Sequence, residues 1–329
     1  GRIYMRVNIS EIPVGTSTTV EALLISMEKK MGKRGPFTVI KIGDGHNTYD
    51  VKYWDMVPDD IPINAGTIVS IKLDVGTFNN TPNYVTDSIT TYVGDEVKLS
   101  DFIIMPPYDI DEMYNYIISA LRDQASIASS KVYSSDGHNE PVSNIAISLI
   151  TDNERAFKRS VAATSMHHDI YAGLLLHTYE MIKAAEGLIT AFPDIDSELL
   201  LSAVAIHDIG KIYTYNTSDL GAGTLNNLEI LDGHLAIGYA AVMKESRKHN
   251  CPPERVHLLE HMIASHHGKQ EWGAIAKPST PEAFLLFAID YIDSRLYMYK
   301  RAQSEIAPGE HTGKLTYLDG TSVYRPTYQ

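Results

Sequence analysis

Ten of the thirteen histidines in this chain lie between residues 167 and 267. Imidazoles gathered into about a third of a sequence suggest a metal site. Within and just beyond that stretch stand His177, the adjacent pair His207-Asp208, His234, a second adjacent pair His266-His267, and Asp290. Asp290 closes the apolar run Phe284-Leu-Leu-Phe-Ala-Ile, where a carboxylate is costly unless a partner or a cation neutralises it. The single cysteine, Cys251, can form neither an internal disulfide nor a thiolate cluster. Any metal must therefore be held by imidazole and carboxylate, a donor set that accepts manganese, iron, cobalt, nickel or zinc without choosing among them. His257 and His261 are four residues apart but have no third ligand pattern; they read as surface or supporting residues. His46, His138, His249 and His311 lie in polar surroundings and read as solvated.

Helices must present these side chains. From about residue 143 to 303 the chain reads as a series of amphipathic helices. Asp196 is the expected N-cap of a helix over Ser197 to His207, Gly233 opens the helix holding His234, Pro252-Pro253 precedes the one ending near His266, and Thr280-Pro281-Glu282 opens the last. Upstream, Ile110, Met113, Ile117, Ile118 and Leu121 recur at helical steps over residues 108–132. The first hundred residues read differently. Thr18 to Met27, Phe37 to Ile42, Tyr49 to Trp54, Thr67 to Val75 and Tyr84 to Thr91 are rich in β-branched and aromatic residues and are separated by Gly, Pro, Asn and Asp turn chemistry. Five short strands in about 80 residues suggest a small closed barrel. The run Phe37 to Gly45, followed by Tyr49 to Trp54, resembles the second and third strands of an OB-fold nucleic-acid-binding domain. Trp54, Tyr53, Phe78 and Tyr84 are either stacking platforms for bases or barrel core. Lys29, Lys30, Lys33 and Arg34 either track phosphates or form a solvated hairpin tip.

In order and context, the histidines and aspartates follow the pattern H...HD...H...HH...D. The carrying segments are Met166 to Thr178, Ala205 to Lys211, Gly233 to Gly238, Ser265 to Lys269 and Ile289 to Asp293. They resemble the HD-domain metal-dependent phosphohydrolases, and most closely the bacterial YhaM-type 3'-5' exoribonucleases, which join an N-terminal OB-fold to an HD domain. The resemblance covers most of the chain. It implies an OB-fold β-barrel over residues 1–100, a helical linker over 101–142, an all-α HD-domain helical bundle over 143–313 and a C-terminal tail over 314–329. It implies one divalent ion on His177, His207, Asp208 and Asp290 and a second on His234, His266 and His267, with Asp208 bridging. Manganese is named first. Asp293 competes with Asp290 for the last ligand role, and the apolar setting favours Asp290. Two cations about 3.5 to 4 Å apart stabilise the attacking and leaving oxygens of an in-line displacement at phosphorus. The resemblance makes the product a 5'-phosphate and the substrate single-stranded nucleic acid, RNA before DNA; it also implies a homo-oligomer. Lys211 either neutralises a phosphoryl oxygen or is an ordinary cation at a helix C-terminus. His168 and Lys269 are candidate phosphate contacts, and Trp54 a candidate base contact. The family pattern places a Gly-Gly pair and a Glu before the first histidine, where this chain has Ala172-Gly173 and Leu176.

The net charge of −13 argues against strong nonspecific binding to nucleic acid. The imbalance is uneven, however: residues 1–100 carry 10 basic and 12 acidic side chains, and residues 101–150 carry 2 and 7. A metal site recruits carboxylates and its cations reverse the local field, so a phosphate ester remains an acceptable substrate. No apolar run approaches the 18 residues of a membrane span, and no export signal opens the chain. A cytoplasmic protein without a membrane partner is expected. The leading function is a metal-dependent exonuclease. The alternative is an HD-domain phosphodiesterase or nucleotidase acting on a small or cyclic nucleotide. A metal-bound binding protein without turnover and a di-iron oxygenase are weaker readings.

Overall fold

The structure, a computed structural model, describes residues 7–163, 170–218 and 223–328. His168 lies outside the described residues. The chain divides into two compact units: Gly1–Met105 with Tyr297–Gln329, and Pro106–Leu296.

The first unit is built on a six-stranded sheet: β1 (Ser17–Gly32), β2 (Gly35–Gly43), β3 (Thr48–Tyr53), β4 (Ile68–Phe78), β5 (Thr81–Thr86) and β6 (Ile89–Thr91). The stretch from Tyr84 to Thr91, expected as one strand, is divided between β5 and β6. β1 is long enough to serve two neighbours. Ser17 to Leu23 pair antiparallel with β4, and Leu23 to Gly32 pair antiparallel with β2, with a register shift between Leu24 and Ser26. β2 pairs with β3, β3 runs parallel to β5, and β5 and β6 both pair antiparallel with β4. The hairpin between β4 and β5 turns on Asn79 and Asn80, both at positive φ, a conformation that asparagine tolerates better than most residues. Alternate residues Val20, Ala22 and Leu24, Ile40 and Ile42, and Val69, Ile71, Leu73 and Val75 are buried together. That is the period of two expected of strands with one buried face. Within the same unit Ala302, Leu315, Leu318 and Val323 bury a small apolar cluster, so the C-terminal segment is packed.

The second unit is helical: α1 (Ile110–Ala128), α2 (Ser143–Asp152), α3 (Glu154–Arg159), α4 (Gly173–Ala191), α5 (Ser197–Ile206), α6 (Lys211–Thr214), a short hairpin β7 (Tyr215–Thr217) and β8 (Gly223–Leu225), α7 (Asn227–Leu231), α8 (Gly233–Ser246), α9 (Pro253–Ser265) and α10 (Pro281–Ser304). The last turns of α10, from Tyr297, belong to the first unit. Among the described residues no helix is long and apolar enough to cross a membrane. The sequence of α5 is mostly apolar all round, and nine of its ten residues, Glu198 to Ile206, are buried. A helix without a polar face must be surrounded, and α5 packs against α1, α2, α4 and α9. Its N-terminus is fixed by Asp196, whose side chain accepts from the Leu199 N–H at 3.0 Å, satisfying one of the free donors of the first turn. Asp196 also takes both terminal nitrogens of Arg255 from α9, at 2.6 and 3.1 Å, and Arg255 reaches the buried Glu198 at 2.8 Å. α5 and α9 are thereby aligned, and both deliver histidines at their C-terminal ends.

Candidate metal centre

His207 and His266 are built in the same way. Each stands at the C-cap of its helix, α5 or α9, where the carbonyls of the last turn lack intrahelical donors. His207 Nδ1–H donates to the Val204 carbonyl at 2.8 Å and His266 Nδ1–H donates to the Ile263 carbonyl at 2.7 Å. A donating Nδ1 leaves the Nε2 of a neutral ring with a lone pair, the form a metal requires. His267 Nδ1–H donates to the Trp272 carbonyl at 2.9 Å. The other two imidazoles use carboxylates: His234 Nδ1 lies 3.0 Å from Glu229, and His177 Nδ1 lies 2.6 Å from Asp293. All five rings thus have Nδ1 engaged by a fixed acceptor.

The Nε2 atoms of His177, His207, His234 and His266 converge on Asp208. His177 Nε2 is 3.2 Å from His207 Nε2 and 3.3 Å from Asp290 Oδ1. Asp208 Oδ2 lies 3.4 Å from His207 Nε2 and 3.8 Å from His177 Nε2, while its Oδ1 lies 3.6 Å from both His234 Nε2 and His266 Nε2. The approach of α8 that brings in His234 depends on Gly210: a Cβ there would stand 2.0 Å from the His234 carbonyl oxygen and 2.8 Å from the Gly238 nitrogen. Ala172, where the family pattern has glycine, takes the left-handed conformation at φ 57° that glycine adopts without cost.

The electrostatics describe a site short of cations. Burial alone would raise the Asp208 carboxyl, but Lys211 and then His207 outweigh it and hold the group well below its ordinary range. Burial would lower His177, yet the bonds to Asp290 and Asp293 prevail and push it up to about 10. His266 is pushed down by burial, and His267 by burial and then by His266, to about 3. Asp208 Oδ1, His234 Nε2 and His266 Nε2 are buried and have no hydrogen-bond partner among the described residues. Buried polar atoms are almost always satisfied, so three orphans facing one another call for an ion. The donor atoms of His177, His207 and Asp208, of His234, His266 and His267, and of His207, His266 and Asp290 form groups within 4.8 Å that can hold a metal. These nitrogen and oxygen donors suit a first-row divalent cation.

The expected ligands are therefore brought together, and the supporting shell is new. Asp290 faces the cluster and Asp293 grips the far nitrogen of His177. Lys211 stands at the start of α6 rather than at a helix C-terminus, buried, with Nζ 2.5 Å from Asp208 Oδ2. Lys269 is exposed, its Nζ 4.4 Å from the Trp272 ring centroid. Glu229 was missed by the sequence reading, although an acidic residue five positions before His234 was visible. His249 is not solvated: it lies between Glu140 at 2.7 Å and Glu245 at 3.3 Å. His46, His138 and His311 are exposed, and His261 Nε2 accepts from the Ser279 N–H. In the sheet unit Tyr84 is core, whereas Trp54 and Phe78 are 46% and 67% exposed with the Lys52 ammonium 5.8 and 5.7 Å from their rings.

The family model for the HD domain matches residues 174–295, the span that carries these ligands. The chain is 28% identical over 327 residues to the 3'-5' exoribonuclease YhaM of Geobacillus sp., covering 98% of this chain and 96% of that protein. It is 30% identical over 299 residues to the 3'-5' exoribonuclease YhaM of Shouchella clausii, covering 89% and 88%. Geometry and kinship agree that this is a metal-dependent hydrolase, and the chain belongs to the YhaM family of HD-domain phosphodiesterases.

Proposed function

We propose that this protein is a 3'-5' exonuclease that hydrolyses single-stranded RNA, and also DNA, to nucleoside 5'-monophosphates in the cytoplasm at a dinuclear centre. The observation that carries the reading is the division of labour within Asp208. One oxygen faces His177, His207 and Lys211, and the other faces His234 and His266. A carboxylate placed between two sets of imidazoles is suited to bridge two cations. In this assignment His177, His207, Asp208 and Asp290 hold one ion, and His234, His266 and His267, with Asp208, hold the other. Manganese is the first candidate, ahead of cobalt, iron, nickel and zinc. When bound, the pair supplies an acidified water and positive charge at the phosphoryl oxygens. The chain's own contribution is orientation. The Val204, Ile263 and Trp272 carbonyls and the Glu229 and Asp293 carboxylates keep each ring turned inward, and Lys211 keeps Asp208 ionised while supplying positive charge close to the reacting phosphate.

The direction of cleavage and the choice of RNA rest on the named activity of the relatives. The first unit supports a polymeric substrate. Its pairings run β1–β2–β3–β5–β4 and return to β1, a circuit that fits the five-stranded barrel of an OB-fold. Trp54, Phe78 and Lys52 combine exposed rings with a cation, as single-strand binding requires. A homo-oligomer completes the proposal. The test is incubation of metal-loaded protein with a 5'-labelled single-stranded RNA of about 20 nucleotides, with manganese and with chelator. A metal-dependent ladder shortening from the 3' end is expected. An intact strand beside active hydrolysis of a small phosphodiester would instead make the protein a nucleotide phosphodiesterase.

A further inference from the structure

A ribbon of aromatic side chains, Phe284, Trp272 and Tyr291 among them exposed, borders the candidate metal ligands, and its rings supply none of them. Phe284, Phe287 and Tyr291 follow one another along α10 at steps of three and four residues, and Trp272 lies against them. The Trp272 and Tyr291 rings are parallel within 2°, with centroids 5.7 Å apart, and Phe287 is 6.2 and 6.0 Å from the two. Trp272 is 44% exposed and Tyr291 38%, so both rings are accessible to a ligand. Each carries a cation: Lys269 Nζ is 4.4 Å from the Trp272 centroid, and the Arg295 guanidinium carbon is 5.0 Å from that of Tyr291. In a chain of net charge −13 these cations supply local positive charge beside the rings.

The ribbon is physically joined to the ligand-bearing turn. The Trp272 carbonyl is the acceptor that orients His267. Gly268, at φ 75°, lies against Phe287 so closely that a Cβ would fall 2.3 Å from the ring. Tyr291 directly follows Asp290. A group resting on these rings is held next to the candidate metal ligands by a rigid connection.

We propose that Trp272 and Tyr291, with Lys269 and Arg295 above them, form a stacking subsite for the nucleobases of a single strand whose phosphates lie toward the metal centre. Isolated exposed aromatics are ordinary; contiguous rings with cations match what a strand offers, an alternation of π-faces and phosphates. The proposal rests on the nuclease reading of the centre, but its test is independent of cleavage.

The chain has two tryptophans, Trp54 and Trp272, so Trp54→Phe leaves Trp272 as the only indole. Titrating that variant in EDTA with a single-stranded oligoadenylate RNA of about 12 nucleotides should quench the Trp272 fluorescence saturably. By anisotropy under the same conditions, Trp272→Ala and Tyr291→Ala in the otherwise native chain should each weaken binding about tenfold, and Tyr291→Phe should restore it. Hydrolysis of bis(p-nitrophenyl) phosphate with manganese should stay within about twofold of the native rate in Tyr291→Ala and Tyr291→Phe, which shows an intact centre. Absent quenching, or affinities unchanged in both alanine variants, would overturn the subsite. A lowered oligomeric mass with unchanged affinity would also overturn it, and would assign the ribbon to a second copy of the chain. If RNA binds and quenches but is never shortened, the nuclease reading fails and the subsite stands.

Discussion

His177 and His207 meet Nε2 to Nε2 at 3.2 Å, each with its Nδ1 already committed to a carboxylate or a carbonyl. With His177 pushed up to about 10, its Nε2–H donates to His207 Nε2 in the metal-free chain, and a divalent cation bound there takes the place of that proton. Adding manganese to chelator-treated protein is therefore expected to raise its apparent stability, by about 2.7 kcal/mol at a hundredfold excess over Kd, and to restore hydrolysis. Differential scanning calorimetry of the two forms checks this. Identical melting with and without manganese would mean the cluster does not bind it.

Replacing Asp208 separates chemistry from stability. Asp208→Asn should retain shape and lose turnover by a factor of about 100 or more, with metal content falling by inductively coupled plasma measurement. Asp208→Ala is worse for the fold, because Lys211 is buried and Asp208 is its partner at 2.5 Å. An abandoned buried cation costs about 3 to 5 kcal/mol. The double variant Asp208→Ala with Lys211→Met should recover most of that stability and none of the activity. Urea titration and a phosphodiester assay decide it, and an active double variant would refute the assigned role of Asp208.

What the sequence made legible follows from how local each signal is. Asp196 as a cap, the largely apolar α5 and the adjacent His207-Asp208 pair depend on a few neighbouring residues, and each could be located by inspection. The side chains that orient the rings could not. Val204 and Ile263 act through backbone carbonyls, which carry no sequence identity, and Asp293 reaches His177 across 116 positions. His249 looked solvated because its partner Glu140 is 109 residues away. Lys211 looked like the end of a helix because a short break after Ile206 restarts the chain as α6. The ring ribbon on α10 was visible as Phe284, Phe287 and Tyr291, but it reads as core until Trp272 is seen beside it and exposed.

The Arg255 cluster predicts how the helical unit responds to acid. Burial would raise Asp196, but its two bonds from Arg255 outweigh that and depress its carboxyl. A folded value below the unfolded one of about 3.9 means that the stabilisation is complete above about pH 5 and is lost as pH falls through the folded value. Arg255→Met leaves Glu198, which is 3% exposed, without its cation though still bonded by the Ser143 N–H and hydroxyl at 3.0 Å, and should cost about 3 kcal/mol at neutral pH. The gap to the native chain should stay level from pH 7 to about 5 and narrow below about pH 4. Urea midpoints across that range provide the test, and a gap that widens in acid would contradict the assignment.

Testing the first unit calls for a point substitution rather than a deletion. Removing the first hundred residues would take away the Thr48 hydroxyl bonded to Arg301 at 3.3 Å and the Asn79 backbone against which Gly313 packs. The cluster of Ala302, Leu315, Leu318 and Val323 would remain from a divided unit, and a misfolded product would be uninformative. Trp54 is half-exposed and touches Phe37 at 4.5 Å between ring centroids, so Trp54→Ala removes an accessible indole with little loss of core. If a base stacks there, the KM for a 20-nucleotide RNA should rise about 5- to 150-fold, since one stacked base contributes about 1 to 3 kcal/mol. Hydrolysis of bis(p-nitrophenyl) phosphate, which presents no strand, should change by less than about twofold. Parallel loss on both substrates would make Trp54 a packing residue, and an unchanged KM would remove it from the nucleic-acid surface.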